Sequence, residues 1–310
     1  VTDVPPDTTP DPQTDQKTDP QTDPQTDLKA GPQTDSQADL QTDPQTNLQT
    51  DPQADLQTDR PHSARVYDYI MGGGTHFPAD RETAAQVLAD WPGLRTSMLA
   101  NRACMHRMAR HLAELGARQF LDIGSGIPSS PNLHEVVQET APGARVVYID
   151  RDPVVLAHAR ALLAGAPAGR VACVQADMRT PEALLGDPAL HEMIDFARPV
   201  AVTVIAMLQF VERAQDLVDA LLEPLAAGSW LAVTVPTGEL APESERLADQ
   251  YTSRGIPMYL RGRAEVARLF AGLELLEPGV VPMPRWRPAP GEPPLPDTAT
   301  NMYAALGRKP

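Results

Sequence analysis

The apolar positions of this chain change their rhythm twice. Residues 1–60 hold no aromatic side chain and very few aliphatic ones, too little apolar surface to offset the entropy of ordering a chain. Between 61 and 117 the apolar residues fall at helical spacing. That spacing predicts helices over Ala64–Met71, stopped by Gly72-Gly73-Gly74, and over Ala79–Leu88, with Asp80 and Glu82 in its first turn. A longer helix, Leu94–Leu115, closes at Gly116. From 118 onward short apolar runs alternate with helical stretches. Arg118–Ile123, Arg145–Ile149, Arg170–Gln175, Val200–Leu208 and Ser229–Val235 read as strands. The nearly unbroken run Val200–Leu208 fits a central parallel strand covered on both faces. Ser130-Pro131 offers a cap and first-turn pair for a helix toward Thr140, Asp152-Pro153 caps another toward Gly165, and Arg213–Leu222 is a third. After Pro236 come two helices, Glu243–Ser253 and Arg263–Phe270, and two last strands, Leu273–Leu276 and Met302–Leu306. The proline-rich stretch Pro282–Pro296 reads as a surface loop. Alternation of this kind implies right-handed crossovers and an α/β fold with a doubly wound, mostly parallel sheet. The expected divisions are a disordered tail (1–60), an N-terminal helical cap (61–117) and a sheet domain (118–310).

The tail has its own period. Asp-Pro-Gln-Thr or a near variant recurs twelve times from Asp11 to Thr58. Prolines at 12, 20, 24, 32, 44 and 52 block a helix, so extended, polyproline-like disorder is expected. The repeat reads as a gene-level expansion, with a solubilising bristle or a tether as alternatives. Val1 in place of methionine reads as an alternative start codon. The tail carries 13 acidic and three basic residues, so ten of the fifteen net negative charges lie in it. The remainder is only mildly acidic, which argues against a nucleic-acid backbone as partner. Two cysteines, Cys104 and Cys173, are too few for a disulfide scaffold or zinc site and read as reduced core side chains. No apolar run approaches the ~20 residues that span a bilayer, and no charged-then-apolar leader opens the chain. A cytoplasmic protein is expected.

Candidate chemistry gathers at the strand ends. Phe120-Leu121-Asp122-Ile123-Gly124-Ser125-Gly126 reads as a buried strand entering a glycine turn, and Val146–Asp150 as a second strand ending on a lone carboxylate. Open parallel sheets bind ligands beyond such carboxyl ends, where strand order reverses. Gly124 and Gly126 let the backbone approach a ligand with no Cβ in the way. A dinucleotide fingerprint asks for a third glycine under the pyrophosphate, where this chain has Ile127-Pro128-Ser129. S-adenosylmethionine carries no phosphate and needs only close approach to its amino-acid and ribose parts. Asp150 can accept both ribose hydroxyls. Asp177, after the third strand, can accept from an adenine amine, and Asp122 can draw the ammonium. Asp152 reads as the cap of its own helix. The leading reading is methyl transfer from S-adenosylmethionine to a small molecule. A cofactor-binding sensor without turnover and an NAD(P)-dependent oxidoreductase are the alternatives.

Further residues carry a resemblance. Ala64-Arg65-Val66-Tyr67-Asp68-Tyr69 with the following Gly-Gly, Phe77, Ala79-Asp80-Arg81-Glu82, Asn101-Arg102, Phe120–Pro128, Asn132-Leu133-His134-Glu135 and Val146–His158 are similar to an S-adenosyl methyltransferase family once catalogued as a domain of unknown function. Pro278-Gly279-Val280-Val281 and Arg285-Trp286-Arg287-Pro288 continue it, so that it covers roughly residues 61–309. The resemblance implies a class I, Rossmann-like methyltransferase fold. It implies a cofactor held by the turn at Gly124 and Gly126, by Asp150 and Arg151, by Asp177-Met178 and by Ala206. Tyr67 and Arg102 would close over it from the helical cap. One position departs: Gln209 stands where related sequences usually carry histidine.

Methyl transfer is an in-line displacement that needs alignment and, only for some acceptors, a base. Tyr67, His76, His134 and Gln209 are candidates near the acceptor, and none declares itself catalytic. His134 reads as a satisfied helix histidine and His76 as an exposed loop residue. The Tyr67 ring could face a sulfonium or pack inward. Arg285-Trp286-Arg287 reads as a stacked surface turn.

Overall fold

The computed structural model describes residues 56–163, 170–291 and 295–310; the repeat up to residue 55, and the disorder expected of it, lies outside the described residues. Eight strands among these join in one sheet: β1 (Gln119–Ile123), β2 (Arg145–Asp150), β3 (Val171–Gln175), β4 (Ala201–Ile205), β5 (Trp230–Pro236), β6 (Glu274–Leu275), β7 (Val281–Pro282) and β8 (Met302–Arg308). The order is 3-2-1-4-5-8-6, with β7 also on β8. The first five strands are parallel, and β8 runs antiparallel to β5. Order reverses between β1 and β4, which puts the glycine turn at the switch point.

The helices are α1 (Ser63–Met71), α2 (Pro78–Asp90), α3 (Leu94–Glu114), α4 (Leu133–Thr140), α5 (Pro153–Leu163), α6 (Pro181–Leu185), α7 (Pro188–Met193), α8 (Ala214–Leu222), α9 (Glu243–Ser253) and α10 (Arg263–Arg268). Strand side chains alternate between two buried layers. Leu121, Val147, Val202 and Val233 meet Leu184, Leu190 and Leu221 on one face. Phe120, Val146, Ala201 and Ala232 meet Met108, Leu112 and Val137 on the other. Burial on both faces explains why the strands read as continuous apolar runs.

A third cluster joins the N-terminal helices, hereafter the cap. Val66 and Ile70 of α1, Ala84 and Val87 of α2, Trp91 and Leu94 pack with Leu247 and Tyr251 of α9. The cap therefore borrows a helix from beyond β5. Meanwhile the second half of α3 belongs to the sheet layer, through Met108 and Leu112.

Several boundaries differ from expectation. Residues 56–60 form a turn before α1, and the Leu56 carbonyl accepts a bond from Arg65 Nη2 at 3.2 Å. Ser130 does not cap α4. The Ser130–Pro131 peptide is cis, and Asn132 and Glu135 cap the helix reciprocally two residues later. The fourth strand stops at Ile205 because Ala206 turns into the left-handed region, φ 52°. The stretch after Pro282 is no surface loop throughout. Met283 and Trp286 are fully buried there, and Val281–Pro282 adds to the sheet. Trp286 therefore anchors the segment rather than stacking outside it. Two proline-started helices, α6 and α7, were not signalled by periodicity because each spans less than two turns.

Candidate functional site

The glycine turn is set by the backbone of β2. The N–H groups of Gly124 and Ser125 both donate to the Ile149 carbonyl, at 2.7 and 3.1 Å. Both glycines have positive φ, 73° at Gly124 and 65° at Gly126. A Cβ at Gly124 would lie 2.3 Å from the Met207 methyl, whereas one at Gly126 meets nothing within 4 Å. Gly124 is thus a packing glycine, and Gly126 faces open space.

That space is a cavity lined by Arg102, Asp122, Ser125, Gly126 and Tyr148, together with Ile127–Ser129 and Asn132. Asp122 is buried, pairs in register with Thr203 of β4, and accepts the Thr203 hydroxyl at 2.7 Å. Burial lifts its carboxyl to about 6, against the hydroxyl bond and the Arg102 charge, which lower it. Arg102 crosses from α3 and donates to the Pro131 carbonyl at 2.8 Å. Ser125 Oγ is buried without a partner, a free hydrogen-bonding group at the cavity wall.

Asp150 sits behind the turn. Its Oδ2 accepts Gly126 N–H at 2.9 Å and its Oδ1 accepts Asp152 N–H at 3.0 Å. Burial raises its pKa, and backbone donors at Asp152, Gly126 and Arg151 oppose the rise. Some lone-pair capacity beyond these bonds remains for a ligand hydroxyl. Arg151 is exposed, with Nη1 3.9 Å from Asp177 Oδ2. Asp177 is bound on both oxygens by Arg179, which holds its carboxyl below the usual range. Met178 points into the core with 9% exposure. The structure therefore gathers Arg102, Asp122 and Gly126 at one cavity, with Asp150 behind them, and sets Asp177 and Met178 after β3, with Arg151, just after β2, near Asp177.

Tyr67 lies in α1, whereas Ala206 follows β4 and packs against the sheet layer. The Tyr67 hydroxyl donates to the Met98 carbonyl at 3.1 Å, and burial pushes its pKa to about 12. Ala206 N–H donates to Thr234. The Ala206 carbonyl accepts the Gln209 amide, whose Oε1 is buried without a partner. His134 Nδ1 lies 2.8 Å from the Tyr148 hydroxyl, and burial lowers its pKa. His76 packs edge-on to Tyr69 and bonds Arg81.

Sequence reading missed Thr203 and Tyr148. A signal existed for each, since Thr203 is the one hydroxyl in β4 and Tyr148 the one aromatic in β2. Asp152 does cap α5, accepting Val154 N–H at 2.9 Å, but its second oxygen also holds Arg65. Among the described residues no group of three His, Cys, Asp or Glu could hold a metal.

Comparison with known proteins adds an independent line. A family model described as S-adenosyl methyltransferase matches residues 49–310. A solved DUF574 family protein from Streptomyces avermitilis MA-4680 is 48% identical and superposes with a TM-score of 0.78, over 82% of this chain and all of that one. A solved candidate methyltransferase from Thermobifida fusca YX is 41% identical at the same TM-score, over 83% of this chain and 98% of its own. No curated protein matches.

Proposed function

This chain belongs to the S-adenosyl methyltransferase family, and from that premise we propose that it methylates a small molecule rather than a nucleic acid. It is an S-adenosylmethionine-dependent methyltransferase. The acceptor class and the residue roles are our inference. One observation carries the cofactor site: Arg102 and Asp122 offer opposite charges in one cavity under the turn. A zwitterionic amino-acid end needs that pair. A pyrophosphate would instead meet a buried carboxylate, which disfavours the oxidoreductase reading.

Arg102 would hold the amino-acid carboxylate, and Asp122 the ammonium. Asp150 would accept the ribose hydroxyls. Asp177, Met178 and Arg151 would flank the adenine end, and Tyr67 and Ala206 would border the methyl group. When bound, S-adenosylmethionine supplies a methyl group on a cationic sulfur. The chain's part is alignment and exclusion of water, an effect that reaches about 7–11 kcal/mol in well-oriented systems. His134 is engaged by Tyr148, and the Gln209 amide by Ala206. We therefore assign no protein base, and expect an acceptor atom that is nucleophilic as bound.

The mildly negative folded region supports a small acceptor over RNA or DNA. Neither cysteine is in a disulfide; Cys104 is buried, and burial pushes the Cys173 thiol up to about 11. This is in keeping with the cytoplasmic location we include in the proposal. Among the described residues no helix is long and apolar enough to cross a membrane. The test is a thermal-shift comparison of S-adenosylhomocysteine with NADH, followed by a screen of pooled metabolites for S-adenosylhomocysteine release. Stabilisation by NADH alone would reject the site assignment, and release only with added RNA or DNA would reject the acceptor class.

A further inference from the structure

We infer that Arg65 is a positioning residue for Asp150, acting through Asp152, so that docking of the cap helix and grip on the cofactor ribose are one coupled event. The inference rests on the reading of Asp150 as the ribose-binding carboxylate.

Arg65 is only 3% exposed, a costly place for a guanidinium unless its partners are well placed. Its Nε donates to Asp152 Oδ2 at 2.9 Å, and its Nη1 lies 3.9 Å from Asp80 Oδ2. Its carbon stands 5.2 Å from the centre of the Phe77 ring. From Asp152 the chain of contacts continues inward: Asp152 N–H to Asp150 Oδ1, then Asp150 Oδ2 to Gly126 N–H. An unbroken path thus runs from α1 of the cap to the glycine turn.

Neither of two simpler purposes accounts for it. Capping α5 uses only Asp152 Oδ1, and a neutral asparagine or serine does that without a buried charge. Fastening α1 is already served by Val66 and Ile70, and apolar packing does so without desolvating ions. What the guanidinium adds is charge balance and aim. Asp80, Asp150 and Asp152 are all buried, and the Asp152 charge disfavours ionised Asp150. His62 Nδ1 is 3.1 Å from Asp152 Oδ2, but burial lowers its pKa to about 4, so it brings no positive charge at neutral pH. Arg65 is then the buried cation held on the Asp152 carboxylate, one hydrogen-bond step from Asp150. Two residues along α1, Tyr67 reaches α3 at Met98, the helix that carries Arg102. One short helix therefore braces both ends of the proposed cofactor site.

The test is a double-mutant cycle on the full chain, read as S-adenosylhomocysteine affinity by calorimetry near pH 7.5. Arg65→Met is expected to weaken binding about tenfold or more, and to weaken it less than about twofold when Asp150→Asn is already present, because no carboxylate is left to aim. Arg65→Lys keeps the charge but not the fork and should recover part of the loss. If Arg65→Met does not fold, Arg65→Lys takes its place in the cycle, with a smaller but still Asp150-dependent loss. Equal losses in both backgrounds overturn the proposal and leave Arg65 a structural ion-pair member. Failure of the unmodified protein to bind S-adenosylhomocysteine overturns the Asp150 reading itself, a separate and recognisable result.

Discussion

Asp122 is buried beside one hydroxyl and near one guanidinium, and that setting makes its charge conditional on pH. Its folded pKa of about 6 exceeds the ordinary 3.8, so between those values the unliganded fold keeps a proton that the unfolded chain has lost. The stability it contributes is complete below the lower value and is lost as pH rises through the upper one. An ammonium ligand requires the anion, so S-adenosylhomocysteine should bind more tightly from about pH 5 to 7 and then level off. Burial raises the Asp150 carboxyl in the same direction. Asp122→Asn isolates its own share. We expect a flatter profile, about tenfold weaker binding near pH 7.5, and about 1–3 kcal/mol more stability of the unliganded protein there. A profile superimposable on that of the unmodified protein would remove Asp122 from ammonium binding. Gly126 gives a second prediction. Its Cβ would enter open space, so Gly126→Ala should cost only about 1–2 kcal/mol of stability, from its left-handed backbone. Binding should fall further, by more than tenfold (about 1.4 kcal/mol), because the methyl occupies ligand room. Unchanged affinity in titration would count against the turn as the contact surface. The glycines and strand-end acids were readable one residue at a time. The Thr203–Asp122 pair was not, because register across the sheet makes it.

At the level of elements, the proline-rich stretch after Pro282 shows how composition can mislead. Prolines and arginines suggested exposure, yet Trp286 is buried against the α3 layer, and its carbonyl accepts Arg107 Nε at 3.2 Å. Removing a fully buried tryptophan side chain typically costs about 3–5 kcal/mol, and Trp286→Ala should destabilise by that amount in urea unfolding. A surface turn would lose under about 0.5 kcal/mol, so a shift that small would contradict the burial. The same limit applied to α4. Ser130-Pro131 and Asn132–Glu135 both carry capping chemistry, and only the path of the chain between β1 and α4 selects the second.

For the molecule as a whole, the cap and the sheet are joined by α3, which packs in both, and by α9, which returns from beyond β5 to the cap. Ligand binding at the switch point should therefore stabilise both together. At 100 times its Kd, S-adenosylhomocysteine should raise unfolding stability by about 2.7 kcal/mol, in one cooperative transition that includes α1. Differential scanning calorimetry showing a separate, unshifted cap transition would refute that coupling. The α/β class, the parallel strands, the glycine turn and the strand-end carboxylates were determined by the sequence alone, since periodicity and local backbone demands act within a few residues. Which apolar run stops early, which helix completes the cap, and which buried arginine meets which aspartate were decided only in three dimensions. Those choices depend on partners far apart along the chain, 87 positions for Arg65 and Asp152 and more for α1 and α9, and no local pattern encodes a contact that exists only after the chain has closed on itself.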